Sequence, residues 1–295
     1  MNRLTSLIFL PLIAFLSLTF LFTSCKKDNN PVEDAVVAIE SIEDDNVADN
    51  SFESNFDLSL DSVEKTYPDL SRFDGSGTGS ARLADTDTNI CAKITRNRPI
   101  DTFPVTVRID FGTGCPRWDG RIRKGIINIV YYGRMRDSGS VAEMSFDNYS
   151  VDDVKVEGVH RITNLSSGNQ PRFKREIING RLTWPNGRWI QRSAERDVQM
   201  LKGRSTISRE DDVFSITGKA NGENSRGKNW TSTITSPLEL RGDCRWVRER
   251  RFEITSGVVS FQHNSGTGTL DYGNGTCDQK ATLTVNDRSK EIILR

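Results

Sequence analysis

The sequence predicts an all-β protein, an antiparallel meander closed or folded into a barrel or sandwich and preceded by a disordered N-terminal stalk. Three observations carry this expectation. From Ile90 onward, short runs rich in Val, Ile, Thr, Phe, Tyr and Trp alternate apolar and polar residues with period two. Asn-Gly and Asp-Asp pairs punctuate them, supplying the positive φ that tight hairpins need. Hydrophobic residues make up 35% of the 295, which suits a sheet with one wet face better than thick helical packing.

The first 24 residues read as a lipoprotein signal peptide. Arg3 gives a basic head, Leu7 to Phe22 is an almost unbroken apolar run, and Thr23 and Ser24 place small residues ahead of Cys25. The Cys25 thiol is the expected lipidation site, so the mature chain begins there and meets the membrane through an N-terminal lipid anchor. A retained transmembrane span is the competing reading, and Pro11 in mid-run together with a cysteine at the polar boundary argues against it.

Residues 25–65 read as the lipidated cysteine and a flexible acidic tether. Between Lys26 and Lys65 three lysines face twelve Asp or Glu, and the scattered Val32, Val36, Val37, Ile39 and Ile42 set up no sustained apolar period. Such a segment buries too little to offset its ordering entropy. Net charge over the whole chain is zero, so residues 66–295, the all-β domain, carry the compensating positive charge.

Within that domain the strands are expected in order. Val105, Val107, Ile109 and Phe111 alternate with polar neighbours, and Gly125 to Gly133 is apolar on both faces and reads as a central strand. Further runs follow at Met144 to Tyr149, Val154 to Thr163, Phe173 to Ile178, Arg188 to Arg196, Val198 to Ser208 and Val213 to Gly218. Trp230 to Thr235, Trp246 to Thr255, Val258 to Phe261, Gly268 to Tyr272 and Ala281 to Val285 complete the series. Hairpin turns are expected at Asp152-Asp153, Asn179-Gly180, Asn186-Gly187 and Asn221-Gly222. IDFGTGC (Ile109 to Cys115) and LDYGNGTC (Leu270 to Cys277) echo each other, so the domain holds either two related halves or one turn solution used twice.

With Cys25 assigned to lipid, four of the five cysteines remain. An even number in an oxidising compartment implies two disulfides. Each near-neighbour pair brackets an apparent hairpin, so the expected bonds are Cys91 with Cys115 and Cys244 with Cys277. Zinc is a poor alternative, because there is no CxxC and only His160 and His263 exist.

No cofactor motif is present and no catalytic residue can be named. Asp110, Asp119, Asp271 and Asp278 could offer oxygens to calcium, but their spacing matches no calcium loop. Asp152-Asp153 and Asp211-Asp212 are adjacent residues that would point to opposite faces of a strand. A serine triad lacks GxSxG and a suitable histidine. Two arginine clusters, Arg117 to Arg136 and Arg241 to Arg251, come with no nucleic-acid motif. Trp118, Trp184, Trp189, Trp230 and Trp246, with Tyr131, Tyr132 and Tyr149, would form a sugar-stacking platform if they shared an exposed face, although Trp184 and Trp189 also suit packing across their hairpin.

The signal ending SCKKD, the acidic stalk, the two glycine turns and the strand GIINIVYYGRMRDSGS together resemble uncharacterised outer-membrane or surface lipoproteins of the Bacteroidota. The resemblance implies location and an all-β fold and carries over no catalytic residues. Lys26 differs from the aspartate that retains enterobacterial lipoproteins at the inner membrane, and Lys26, Lys27 and Asp28 partly match a surface-export signal. The expectation is a non-catalytic envelope lipoprotein, at the cell surface or facing the periplasm, that binds or scaffolds a glycan or an envelope partner. A glycan-directed hydrolase and a lipid carrier with an open barrel are the alternatives.

Overall fold

The computed structural model describes residues 31–67, 70, 91–99, 101–117, 120–205, 211–244, 253–263, 266–285 and 288–294. Among these residues one helix, α1 (Pro31–Thr66), precedes fourteen strands: β1 (Lys93–Arg96), β2 (Val105–Asp110), β3 (Cys115–Pro116), β4 (Ile122–Tyr131), β5 (Val141–Val151), β6 (Val154–Asn164) and β7 (Arg172–Thr183). The chain continues through β8 (Trp189–Lys202), β9 (Val213–Asn224), β10 (Asn229–Arg241), β11 (Glu253–His263), β12 (Gly266–Asn274), β13 (Lys280–Val285) and β14 (Arg288–Ile293).

The strands form one antiparallel meander in chain order, with β3 pairing the start of β4 beside β2. Among the described residues β1 pairs only β2 and β14 pairs only β13, so the expected barrel closure does not occur. The sheet instead curls around α1. At about 4.8 Å per strand a flat sheet of this order would be some 60 Å wide, against about 10 Å for a helix. Yet α1 touches β1, β7, β8, β9, β11, β12 and β13, and its adjacent residues Asp45 and Asn46 bond Arg192 of β8 and Tyr272 of β12, strands about 19 Å apart in a flat sheet, so the sheet curves around the helix. The cross-section is that of a sheet wrapped around a helical plug.

The alternation read from the sequence sets the two faces. Ile127, Ile129 and Tyr131 of β4, Ile190 and Val198 of β8, Val259 and Phe261 of β11, and Leu270 and Tyr272 of β12 all point inward and are buried. Their neighbours Thr231, Thr233, Thr269 and Thr282 point outward and are exposed. β4 follows the same rule, with Ile126 and Val130 only half-buried; it lies near one edge of the sheet and is not the doubly buried central strand expected.

The segment expected to be a flexible tether is helical from Pro31, and this is the main correction. Ile42, Ala48, Phe52, Leu58 and Val63 are buried in the same core cluster as the inner face of the sheet. Two glycines admit the helix. A Cβ on Gly180 would lie 2.6 Å from the Phe52 ring, and one on Gly268 would lie 2.7 Å from Ile42 Cδ1. Cys25 and the signal lie outside the described residues.

Turn chemistry is kept at two of the four expected places. Asp152 and Asp153 have φ of 49° and 63° and join β5 to β6, and Gly187 at 82° closes the Trp184 to Arg188 turn. Asn179-Gly180 makes no hairpin. Asn179, at φ 50°, sits in a bulge where the β7 and β8 register slips between Ile177 and Gly180. Asn221-Gly222 continues β9, because the Trp230 ring lies against Gly222 where any Cβ would collide at 2.4 Å. The real turn falls at Ser225 to Lys228, with Gly227 at φ 70°.

Both disulfides form as expected, with Cα atoms 5.6 Å apart for Cys91 and Cys115 and 5.3 Å for Cys244 and Cys277. The echoed motifs share one local solution, since Asp110 accepts the Gly112 N–H and Asp271 accepts the Gly273 N–H, each at 2.9 Å. That donation holds the Asp110 carboxyl below its usual range. They occupy opposite rims of the sheet, because β2 ends beside the start of β4 whereas β12 ends beside the end of β11's partner strand β10.

Candidate functional site

Two polar assemblies stand out, one on each face of the sheet. Inside, α1 presents a stripe of acids to a ladder of arginines. Positions 45, 48, 52, 55, 59 and 62 recur at spacings of three and four and all are buried, but they are Asp, Ala, Phe, Asn, Ser and Ser. β8 faces them with Arg192 and Arg196 on its inner side.

Arg192, whose side chain is fully buried, donates from Nε to Asp45 Oδ1 at 2.7 Å and places Nη1 2.7 Å from Asp49 Oδ1. Asp45 also accepts from Trp230 Nε1 at 2.9 Å and from Ser232 Oγ at 3.3 Å. Asp44 pairs with Arg188 and accepts from Asn224 Nδ2 at 2.9 Å. Arg175 donates to Glu53 at 2.6 Å, and Tyr149 donates its hydroxyl to Asn55 at 2.9 Å.

At Glu53 and Arg192 burial opposes ionisation, and the opposite charges outweigh it. Desolvation works against the Glu53 carboxylate, but the charge and hydrogen bond of Arg175, with the charge of Arg196, hold its proton affinity below the usual range. Arg192 is likewise held in its charged form by Asp45 and Asp49 against desolvation. His160 goes the other way. Burial lowers its pKa to about 4 despite the attraction of Glu53 and Asp49, with Arg175 and Arg192 adding to the depression. It is therefore a neutral core histidine near neutral pH, as its position between Val156 and Ile162 suggests.

Outside, one row of side chains crosses the sheet in register: Glu143, Arg161, Glu176, Glu195, Lys219 and Thr233 on β5 to β10. Arg161 lies 2.7 Å from Glu143, and Lys174 lies 3.3 and 3.4 Å from Glu176 and Glu195. Around this row an open groove of about 450 Å³ runs across β7 to β10, with Ser193, Asn221 and Thr231 completing its polar lining. The backbone of four paired strands fixes these groups, and the β7 bulge shapes one end.

The residues weighed for chemistry do not converge. Asp152 accepts the Ile122 N–H and Asp153 pairs with Lys124, so both serve their turn. Asp211 is exposed and Asp212 buried. Asp110, Asp271 and Asp278 each accept a backbone N–H two residues on, and Asp110 stands at the rim opposite Asp271; Asp119 lies outside the described residues. Asp243 neighbours Cys244 and Cys277, but the two sulfurs are spent on each other. Glu176 and Glu195 are the one facing carboxylate pair in the groove, and Lys174 bridges them at 3.3 and 3.4 Å.

The aromatic platform is dispersed. Trp230 is buried against α1, the Trp189 ring lies under the Arg181 guanidinium at 4.2 Å, and the Trp184 ring under that of Arg188 at 4.5 Å. Tyr131 and Tyr149 are buried and Tyr132 is exposed; Trp118 and Trp246 lie outside the described residues. Of the first arginine cluster, Arg117 and Arg123 are buried, and the second lies largely outside the described residues.

The helix and its acid ladder are what sequence reasoning missed. Comparison of the chain with protein-family models, with curated proteins and with solved structures finds no match in any of the three.

Proposed function

We propose that this chain is a bacterial outer-envelope lipoprotein, acylated at Cys25, that binds a carbohydrate chain without turning it over. The observation that carries the reading is the outer groove. Hydroxyls, an amide, two carboxylates and an ammonium group are held on four rigid, paired strands, a lining that matches the mixed donors and acceptors of a sugar chain. A volume of about 450 Å³ falls in the range of small-ligand sites. Lipid carriage would need an apolar lumen, and α1 fills that space. Hydrolysis would need an acid and a second carboxylate or water across the scissile bond, whereas Glu176 and Glu195 share Lys174 between them.

The test has two arms. Fatty-acid labelling of the expressed chain is expected to vanish in Cys25→Ala, and persistent labelling removes the anchor from this reading. Glycan-array binding by the full chain is expected to weaken in Asn221→Ala and Thr231→Ala, with no turnover of glycosidase, esterase or peptidase substrates. Turnover that disappears on replacing one Asp, Glu or His makes the protein an enzyme instead.

A further inference from the structure

α1 sets where the domain stands relative to its anchor. As a 41-residue flexible tether, residues 25–65 could reach about 140 Å and leave the domain without orientation. The helix shortens this. Ile39 already packs on the core and Ile42 is buried against Gly268 at the start of β12. Six residue steps from Cys25 to Pro31 span at most about 22 Å, and the helix from Pro31 to Ile39 adds about 12 Å.

The direction of α1 is equally defined. Asp44 meets Arg188 and Asn224 at the turns that join β7 to β8 and β9 to β10. Farther along, Asp45 and Asp49 meet Arg192, Glu53 meets Arg175, and Tyr67 lies beneath Arg96 at the far end of β1. Leu70 then accepts the N–H of Met135, in the turn between β4 and β5 at the opposite rim. The chain thus enters at one rim and leaves α1 at the other.

We infer that the entry rim, made by the Trp184 to Arg188 and Ser225 to Lys228 turns, faces the lipid surface, and that the opposite rim points away from it. The inference rests on acylation at Cys25. The rim's own chemistry fits a lipid headgroup layer: Trp184 and Trp189 lie beneath Arg188 and Arg181, and Arg226 is exposed on the neighbouring turn. Tryptophan and arginine together suit the boundary between headgroups and water. The far rim instead exposes Tyr132, Leu165 and Leu201, side chains left for contacts away from the membrane.

Energy transfer to a headgroup dye tests this in vesicles carrying the full acylated chain. A donor is attached at Ser225→Cys on the entry rim or at Asn169→Cys on the far rim, both exposed positions. β8, fourteen residues long, places the rims about 40 Å apart, so transfer from position 225 is expected to exceed that from position 169 several-fold. Equal or reversed transfer from vesicle-bound, acylated protein overturns the orientation while leaving the anchor intact. A chain that fails to acylate or to bind vesicles overturns the anchor itself, and the orientation with it.

Discussion

The concave and convex faces of this sheet use the same side chains for opposite ends. Inside, Arg192 is wholly removed from water between Asp45 and Asp49. Outside, Arg161 reaches Glu143 at the same 2.7 Å, with 38% of its side chain still exposed. The geometry of the two pairs is nearly equal, so the difference lies in solvent. A buried charge that loses its partner stays stranded in a poor dielectric, whereas an exposed one is rehydrated. The inner pairs therefore act as a lock that fixes α1 in one register, and the outer pairs as a surface whose partners can be exchanged.

The sharpest way to break this contrast is Arg192→Met. It keeps most of the side-chain volume, strips the buried Asp45 of its counter-charge, and leaves Asp49 with Arg196 at 3.8 Å. The expected cost is about 3–5 kcal/mol, read as a fall in denaturant midpoint with the disulfides intact. A cost below about 1 kcal/mol, the range of exposed pairs, would mean that α1 does not depend on the inner ladder.

A second test uses pH on the unmodified protein. His160 has a folded pKa of about 4, against about 6.5 in an unfolded chain. Between these values the unfolded state binds a proton that the native state does not, so stability rises with pH through this window. It is fully present above about pH 6.5 and falls by up to about 3 kcal/mol by pH 4. Glu53, whose folded carboxyl is held below its usual range, adds a further loss at more acid pH, where it must protonate. Urea unfolding at a series of pH values is expected to show the slope, and His160→Gln to flatten it above pH 5 while leaving the acid limb. An unchanged slope in that variant would assign the titration elsewhere.

The sheet was legible because its signal is local. Val105, Val107 and Ile109 declare one face by alternation, and Cys91 finds Cys115 because a hairpin returns the chain. Three strands escaped notice: β3 is two residues long and β1 four, and β14 (Arg288–Ile293) carries four polar residues in six, as edge strands often do. Asn179-Gly180 misled because positive φ serves a bulge as well as a turn.

The helix was hidden for another reason. Its buried face follows a regular three-and-four spacing, but only Ala48 and Phe52 on that stripe are apolar, so hydrophobic periodicity had nothing to detect. Its acids looked solvated until β8 supplied arginines more than 140 residues away. One local clue was present: Asn30, Pro31 and Glu33 stand in sequence as a cap, first-turn proline and third-position acid. The groove, assembled from four strands in register, leaves no such local trace.

The smallest effect, and the one that sharpens the comparison most, belongs to Arg161→Met on the outer face. Arg161 lies 2.7 Å from Glu143 and 4.0 Å from Glu176, and water and salt compete for each partner. With a screening length of about 8 Å at physiological ionic strength, the expected cost is below about 1 kcal/mol and shrinks further as salt rises. Chemical denaturation at two salt concentrations reads this directly. A loss as large as that of Arg192→Met would make the outer row structural, and would leave its carboxylates committed to the fold. A small loss leaves Glu176 free to trade Arg161 and Lys174 for the hydroxyls of a bound chain, which is the property a binding surface on this face requires.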